Sequence, residues 1–202
     1  MANDLVGLDG RWGQRFAYLV GGVGVEQWYD DTPCSEWDVR TLVHHLLSEQ
    51  RWVSPLLNGL TIAQVGDRFE GDLTGDDPSQ WAGLLALYIE EAHEAVAQPG
   101  ALAQTVHLSY GDAPADEYVM QLTADLALHS WDLARATGQD DTLDGDVVAL
   151  LLPWTEASVD MRAGMGPFRP RIEVDAAASD DVRLLAPSWV AGPEAHPPNR
   201  RR

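Results

Sequence analysis

Residues 114–137 constrain the fold of this chain more than any other segment. They read as one uninterrupted helix that stops at Gly138, a residue type that closes helices in the left-handed conformation. Tyr118, Leu122, Asp125, His129, Leu133 and Ala136 follow helical spacing along one side. Val119, Leu126, Ala127 and Leu128 cover the other side, so the helix is apolar nearly all round. Such a helix has to be enclosed by partners, and two ionisable residues go inside with it.

The partners are legible from the same periodicity. Residues 4–23 place Leu5, Leu8, Trp12, Phe16, Leu19 and Val20 at helical spacing. A second helix is expected over 38–57, stopped by Asn58-Gly59. A third spans 77–97, with Asp77 as N-cap, Pro78 in the first turn and Pro99-Gly100 as the stop. Residues 61–65 form one short turn, and 66–77, with three Gly and five acidic residues, form a loop. Residues 105–110 alternate like a short strand, turned by Gly111-Asp112. A fifth helix covers 144–161, kinked at Pro153. The expected fold is therefore all-α. It is a four-helix bundle within 1–163 with an additional C-terminal helix and a short strand or hairpin before helix four. Residues 164–202 are expected to be an irregular extension with one short helix near 180–186 and a disordered end from Pro187.

Composition narrows the partners. Against 32 acidic residues stand 13 basic ones, all Arg, for a formal charge of -19. That surface repels phosphate backbones and anionic membranes, so neither nucleic acid nor membrane is an expected partner. No window approaches the roughly 20 apolar residues of a membrane span. Cys34 is the single cysteine, which excludes an internal disulfide and suits a reducing cytoplasm. No secretory signal pattern opens the sequence. A homodimer is the candidate assembly.

Asp125 and His129 are four residues apart and share a helix face, so both can reach one point. Polar groups on a core-facing stripe need a partner, either a hydrogen-bond network or a metal ion. On helix two, His44 shares its side with Arg40, Ser48 and Arg51, a solvated face. His45 falls beside Leu42, Glu49, Trp52 and Leu56 and is the buried candidate. His45, Asp125 and His129 together would supply two imidazoles and a carboxylate, a set suited to Zn²⁺ or another first-row divalent ion. Core hydrogen bonding explains Asp125 and His129 equally well at this level. Asp132 pairs either with Arg135 or with a ligand imidazole, and Glu49 either with Arg51 or solvent or with the site. His93 among Glu90, Glu91 and Glu94, His107 on the strand, and His196 in the Pro-rich tail are expected at the surface. Cys34 and Trp37 are expected to pack the loop against the entrance of helix two, with a nucleophilic role for Cys34 also open.

Three stretches carry a resemblance. Asp31-Thr32-Pro33-Cys34-Ser35-Glu36-Trp37-Asp38-Val39-Arg40-Thr41-Leu42-Val43-His44-His45-Leu46 resembles the start of the metal-binding domain of mycothiol-dependent maleylpyruvate isomerases, members of the DinB-like superfamily of four-helix bundles. Residues 105–111 and 125–138 continue the likeness, and Val182-Arg183-Leu184-Leu185-Ala186 resembles the tail of a short actinobacterial branch. The resemblance implies a metal held by His45, Asp125 and His129, with Zn²⁺ or Ni²⁺ as the ion and mycothiol as the thiol cosubstrate. It implies a thiol transferase or isomerase acting on a small electrophile, with Glu49 and Asp132 orienting ligands or moving a proton. The isomerase has Glu where this chain has Asp125, and a further C-terminal domain that helps hold its thiol. A non-catalytic metal- or small-molecule-binding bundle is the alternative reading.

Overall fold

In the computed structural model the described residues are 2–34, 37–75, 77–162, 175 and 177–185. The chain falls into two compact units, Met1–Asp141 and Thr142–Arg202. In the first unit the long helices are α1 (Ala2–Gly21), α2 (Val39–Leu57), α4 (Trp81–Val96) and α5 (Ala115–Thr137). A one-turn helix, α3 (Ile62–Val65), follows α2. Both α1 and α2 pack against α4 and α5, which puts α1 and α2 on one diagonal of the bundle. The connection between them crosses the bundle end and carries a 3₁₀ turn, Val25–Tyr29, whose Trp28 lies edge-on to Trp81 at 4.5 Å.

Local chemistry sets the element ends. Asp38 accepts the Thr41 N–H at 2.8 Å and starts α2, a cap of the kind that contributes about 1 kcal/mol. Asp77 accepts the Ser79 N–H, and Pro78–Gln80 form a 3₁₀ turn before α4 begins. The third expected helix thus starts with a tighter turn than its periodicity predicts. Gly138, at φ 70°, ends α5 by donating to the Ala134 carbonyl. The enclosed character of α5 is borne out: Tyr118, Leu122, Leu126, His129 and Leu133 are buried, and so are Val119, Ala127 and Leu128.

The expected strand is one arm of a hairpin. β1 (Thr105–Leu108) pairs antiparallel with β2 (Gly111–Pro114), with Leu108 opposite Gly111. The turn therefore lies at Ser109-Tyr110 rather than at Gly111-Asp112. Gly111 takes a φ of 128° that a side chain would resist.

The second unit holds α6 (Gly145–Arg162), which continues through Pro153, and α7 (Asp180–Leu185). Arg183 of α7 pairs with Glu156 of α6 and with Asp180, and Leu184 is buried. His196 and the expected disordered end lie outside the described residues. Among the described residues no helix is long and apolar enough to cross a membrane.

Candidate metal centre

Where α2 and α5 pack, His45, Asp125 and His129 each offer a ligand atom, and these atoms lie within 4.8 Å of one another. Asp125 and His129 arrive together because one helical turn separates them. His45 arrives through the packing of α2 on α5, across 80 residues of chain. His45 Nε2 donates to Asp125 Oδ2 at 2.9 Å, and His129 Nε2 lies 3.6 Å from Asp125 Oδ1.

His129 carries the decisive detail. Its Nδ1 donates to Asp132 Oδ2 at 2.9 Å, which leaves the Nε2 lone pair turned towards Asp125. Nε2 is buried and has no hydrogen-bond partner among the described residues. With Nδ1 protonated, Nε2 and a carboxylate oxygen are both acceptors and repel at this distance. With a neutral ring, hydrogen bonds within the cluster therefore leave a buried polar atom unsatisfied, at a cost of about 1–3 kcal/mol, which a cation at this point relieves. A divalent cation satisfies both atoms, and the residues present fit one: two imidazole nitrogens, one carboxylate, and a carboxylate behind one of the rings.

Electrostatics couple His45 to Asp125. Burial pushes the His45 pKa down, but the charge and hydrogen bond of Asp125 and the charge of Glu49 outweigh it, and the result lies above the ordinary 6.5. Burial pushes Asp125 up, yet His45 and His129 hold it below the ordinary 3.8. Glu49 sits one turn beyond His45 on α2, within electrostatic reach of both His45 and Tyr118. The Tyr118 hydroxyl is buried without a hydrogen-bond partner among the described residues. Burial, then the charge of Glu49, keeps this phenol protonated well above 10.

Trp37 belongs to the site as well. Its ring lies 4.7 Å from that of His45 and 5.4 Å from that of His129. The pattern of spacings assigned it only to loop packing, because a contact made by a loop residue leaves no periodic signal.

Of the other candidates, Asp132 backs the centre through His129 and the rest make contacts elsewhere. Asp132 takes His129 and not Arg135, which turns to Asp141 at 3.0 Å. The face of His44 is not solvated as expected. The 66–75 loop folds over it, with the Leu73 N–H donating to His44 Nε2 at 3.2 Å, Arg40 paired with Asp72, and Ser48 buried. Arg51 is held between Phe69 and Tyr88, at 4.6 and 4.7 Å from the ring centres. His93 is half-buried rather than exposed and faces the buried Asp9 of α1 at 4.0 Å. Gly10 makes room for that ring, since a Cβ there would lie 2.7 Å from it. His107 bonds Asp112 at 2.7 Å on the hairpin. Cys34 is buried in the loop before α2.

Comparison with known proteins adds to this geometry. The sequence model of the mycothiol maleylpyruvate isomerase N-terminal domain matches residues 11–134. An uncharacterised protein of Mycobacterium tuberculosis strain CDC 1551 / Oshkosh is 32% identical over 163 residues, covering 77% of this chain and 79% of its own length. The same figures hold for an uncharacterised protein of strain ATCC 25618 / H37Rv. A crystal structure of a histidine-to-alanine mutant of mycothiol-dependent maleylpyruvate isomerase superposes with a TM-score of 0.62 at 12% identity, over 82% of this chain and 74% of that one. At that identity the likeness is one of fold.

Proposed function

The chain belongs to the mycothiol maleylpyruvate isomerase N-terminal domain family, and from that premise we propose that it is a metal-dependent enzyme that activates a low-molecular-weight thiol, of the mycothiol type, towards a small electrophile. His45, Asp125 and His129 hold the metal, with zinc the first candidate and nickel the second. Once bound, the cation supplies Lewis acidity, which lowers the pKa of a thiol so that a thiolate is available at neutral pH.

The chain's own residues do the rest. Asp132 fixes the His129 tautomer and ring orientation through Nδ1. Glu49, one turn from His45 on α2, is assigned to accept the proton that the thiol releases. Tyr118, kept protonated, offers a neutral donor within electrostatic reach of Glu49 and Asp125. In a transfer the thiolate sulfur bonds to the electrophilic carbon and a leaving group departs with the bonding pair. In an isomerisation it adds across a carbon–carbon double bond and is expelled as thiolate after rotation, so the thiol is regenerated.

One observation carries this reading: the buried, unpartnered Nε2 of His129 beside Asp125. Metal analysis of the purified protein tests it, with one equivalent of a divalent metal expected and His129→Ala expected to lose it. Full stoichiometric metal in His129→Ala would sink the ligand assignment. Thiol consumption with chlorodinitrobenzene as electrophile separates an enzyme from a binder. A wild-type protein that holds metal yet gives no metal-dependent rate with mycothiol leaves the non-catalytic binding bundle as the better reading.

A further inference from the structure

Hydrogen bonds among Thr32, Cys34 and Trp37 fix the backbone that carries the ring packed against both histidines. Thr32 donates its hydroxyl to the Trp37 carbonyl at 2.8 Å and its backbone N–H to the same oxygen at 3.3 Å. Trp37 donates its own N–H to the Cys34 carbonyl at 2.9 Å. Asp31 and Asp38 form an antiparallel bridge, and Asp38 caps α2. The Trp37 backbone is thus fixed to the start of the helix that carries His45, and burial confines its indole.

The ring geometry is specific. The His45 and His129 rings stand at 85° to each other with centres 5.5 Å apart. Trp37 is tilted 45° to His45 and 40° to His129, so its plane falls midway between theirs. Trp37 is 6% exposed and His129 is 1% exposed. The three ring centres form a near-equilateral triangle, so in a close-packed interior the indole buttresses one side of each imidazole. Removing the indole takes away the flat surface against which both imidazoles pack while they face Asp125.

We propose that Trp37 is a positioning residue, clasped by Thr32, whose indole holds His45 and His129 at the mutual angle that lets both ligate one divalent cation together with Asp125. This rests on the metal reading above. A merely structural tryptophan would set the melting temperature but not the geometry or affinity of a bound ion.

Co²⁺ titration of the full chain tests this, because the d–d absorption bands report coordination geometry and the titration reports affinity. Melting curves of the chelated proteins run in parallel. Trp37→Leu removes the planar buttress and should lower Co²⁺ affinity about 10–100-fold, the usual cost of losing a group that orients a ligand, with shifted bands. Trp37→Phe restores a flat ring and should recover most of the affinity. Thr32→Val keeps every ring, removes only the clasp hydroxyl, and should give a smaller loss in the same direction. Trp37→Leu with wild-type affinity and bands overturns the proposal. If Trp37→Leu does not fold, Thr32→Val decides, and wild-type affinity and bands there overturn it equally. A wild-type chain that takes up no Co²⁺ overturns the metal reading itself, and this proposal with it.

Discussion

Asp132→Ala separates a metal site from a buried polar cluster more sharply than removal of a ligand does, because it touches no ligand atom. Asp132 accepts the His129 Nδ1–H at 2.9 Å, and His129 is 1% exposed. A hydrogen bond to a charged acceptor in such a place contributes about 1.5–3 kcal/mol, and its loss leaves the Nδ1 donor without that acceptor. For a chain of this size each kcal/mol moves the melting temperature by about 2–4 °C. The chelated variant is therefore expected to melt about 3–12 °C lower. The metal effect comes on top of this. Without Asp132 the ring is no longer held with Nε2 towards Asp125. Loss of such a group costs about 10–100-fold in affinity, or about 1.4–2.7 kcal/mol. Competition against a chromophoric chelator at fixed pH measures that term, and thermal melts of the chelated protein measure the other. Asp132→Asn distinguishes them further. Its amide oxygen still accepts from Nδ1, so most of the stability should return, while the loss of charge keeps affinity below wild type. An Asp132→Ala protein that melts lower but binds zinc within twofold of wild type would refute the orienting role.

Two further outcomes follow from the charges. His45 has its pKa raised above 6.5, and a metal needs the neutral imidazole, so affinity should fall as pH drops through that raised value. Calorimetric titrations between about pH 6 and about pH 8.5 check this, and an affinity flat across the range contradicts it. In the chelated protein the signs run differently. The stability from His45 is present below 6.5 and lost as pH rises through the raised value, while that from Asp125 is present above 3.8 and lost as pH falls through the lowered one. The second outcome concerns Gly10. Gly10→Ala places a Cβ 2.7 Å from the His93 ring, so the ring must shift from its place beside Asp9. The His93 pKa, raised by its polar contact with Asp9 and by that residue's charge, should fall back towards 6.5 in an NMR titration. An unchanged pKa would mean that the ring has another way to reach Asp9.

Much of the bundle is written in local chemistry. Helix periodicity, the Asp38 cap and the Gly138 stop act over one or two turns, so α1, α2, α4 and α5 can be read from residues close together in the chain. The same locality puts Asp125 and His129 on one face and singles out His45 over His44 on its own helix. Whether these three meet depends on how α2 packs on α5, which no single helix specifies. Asp132 makes the limit plain. It lies three residues from both His129 and Arg135, so helical spacing favours neither, and the turn of Arg135 to Asp141 settles the pairing. Trp37 and the loop over His44 are decided by tertiary contacts alone. Loop side chains follow hydrogen bonds and packing and carry no period to read. Two polar residues on a buried helix are thus a property of the sequence. The orphaned nitrogen that favours a cation over a hydrogen bond exists only once α2, α5 and the loop before α2 are assembled.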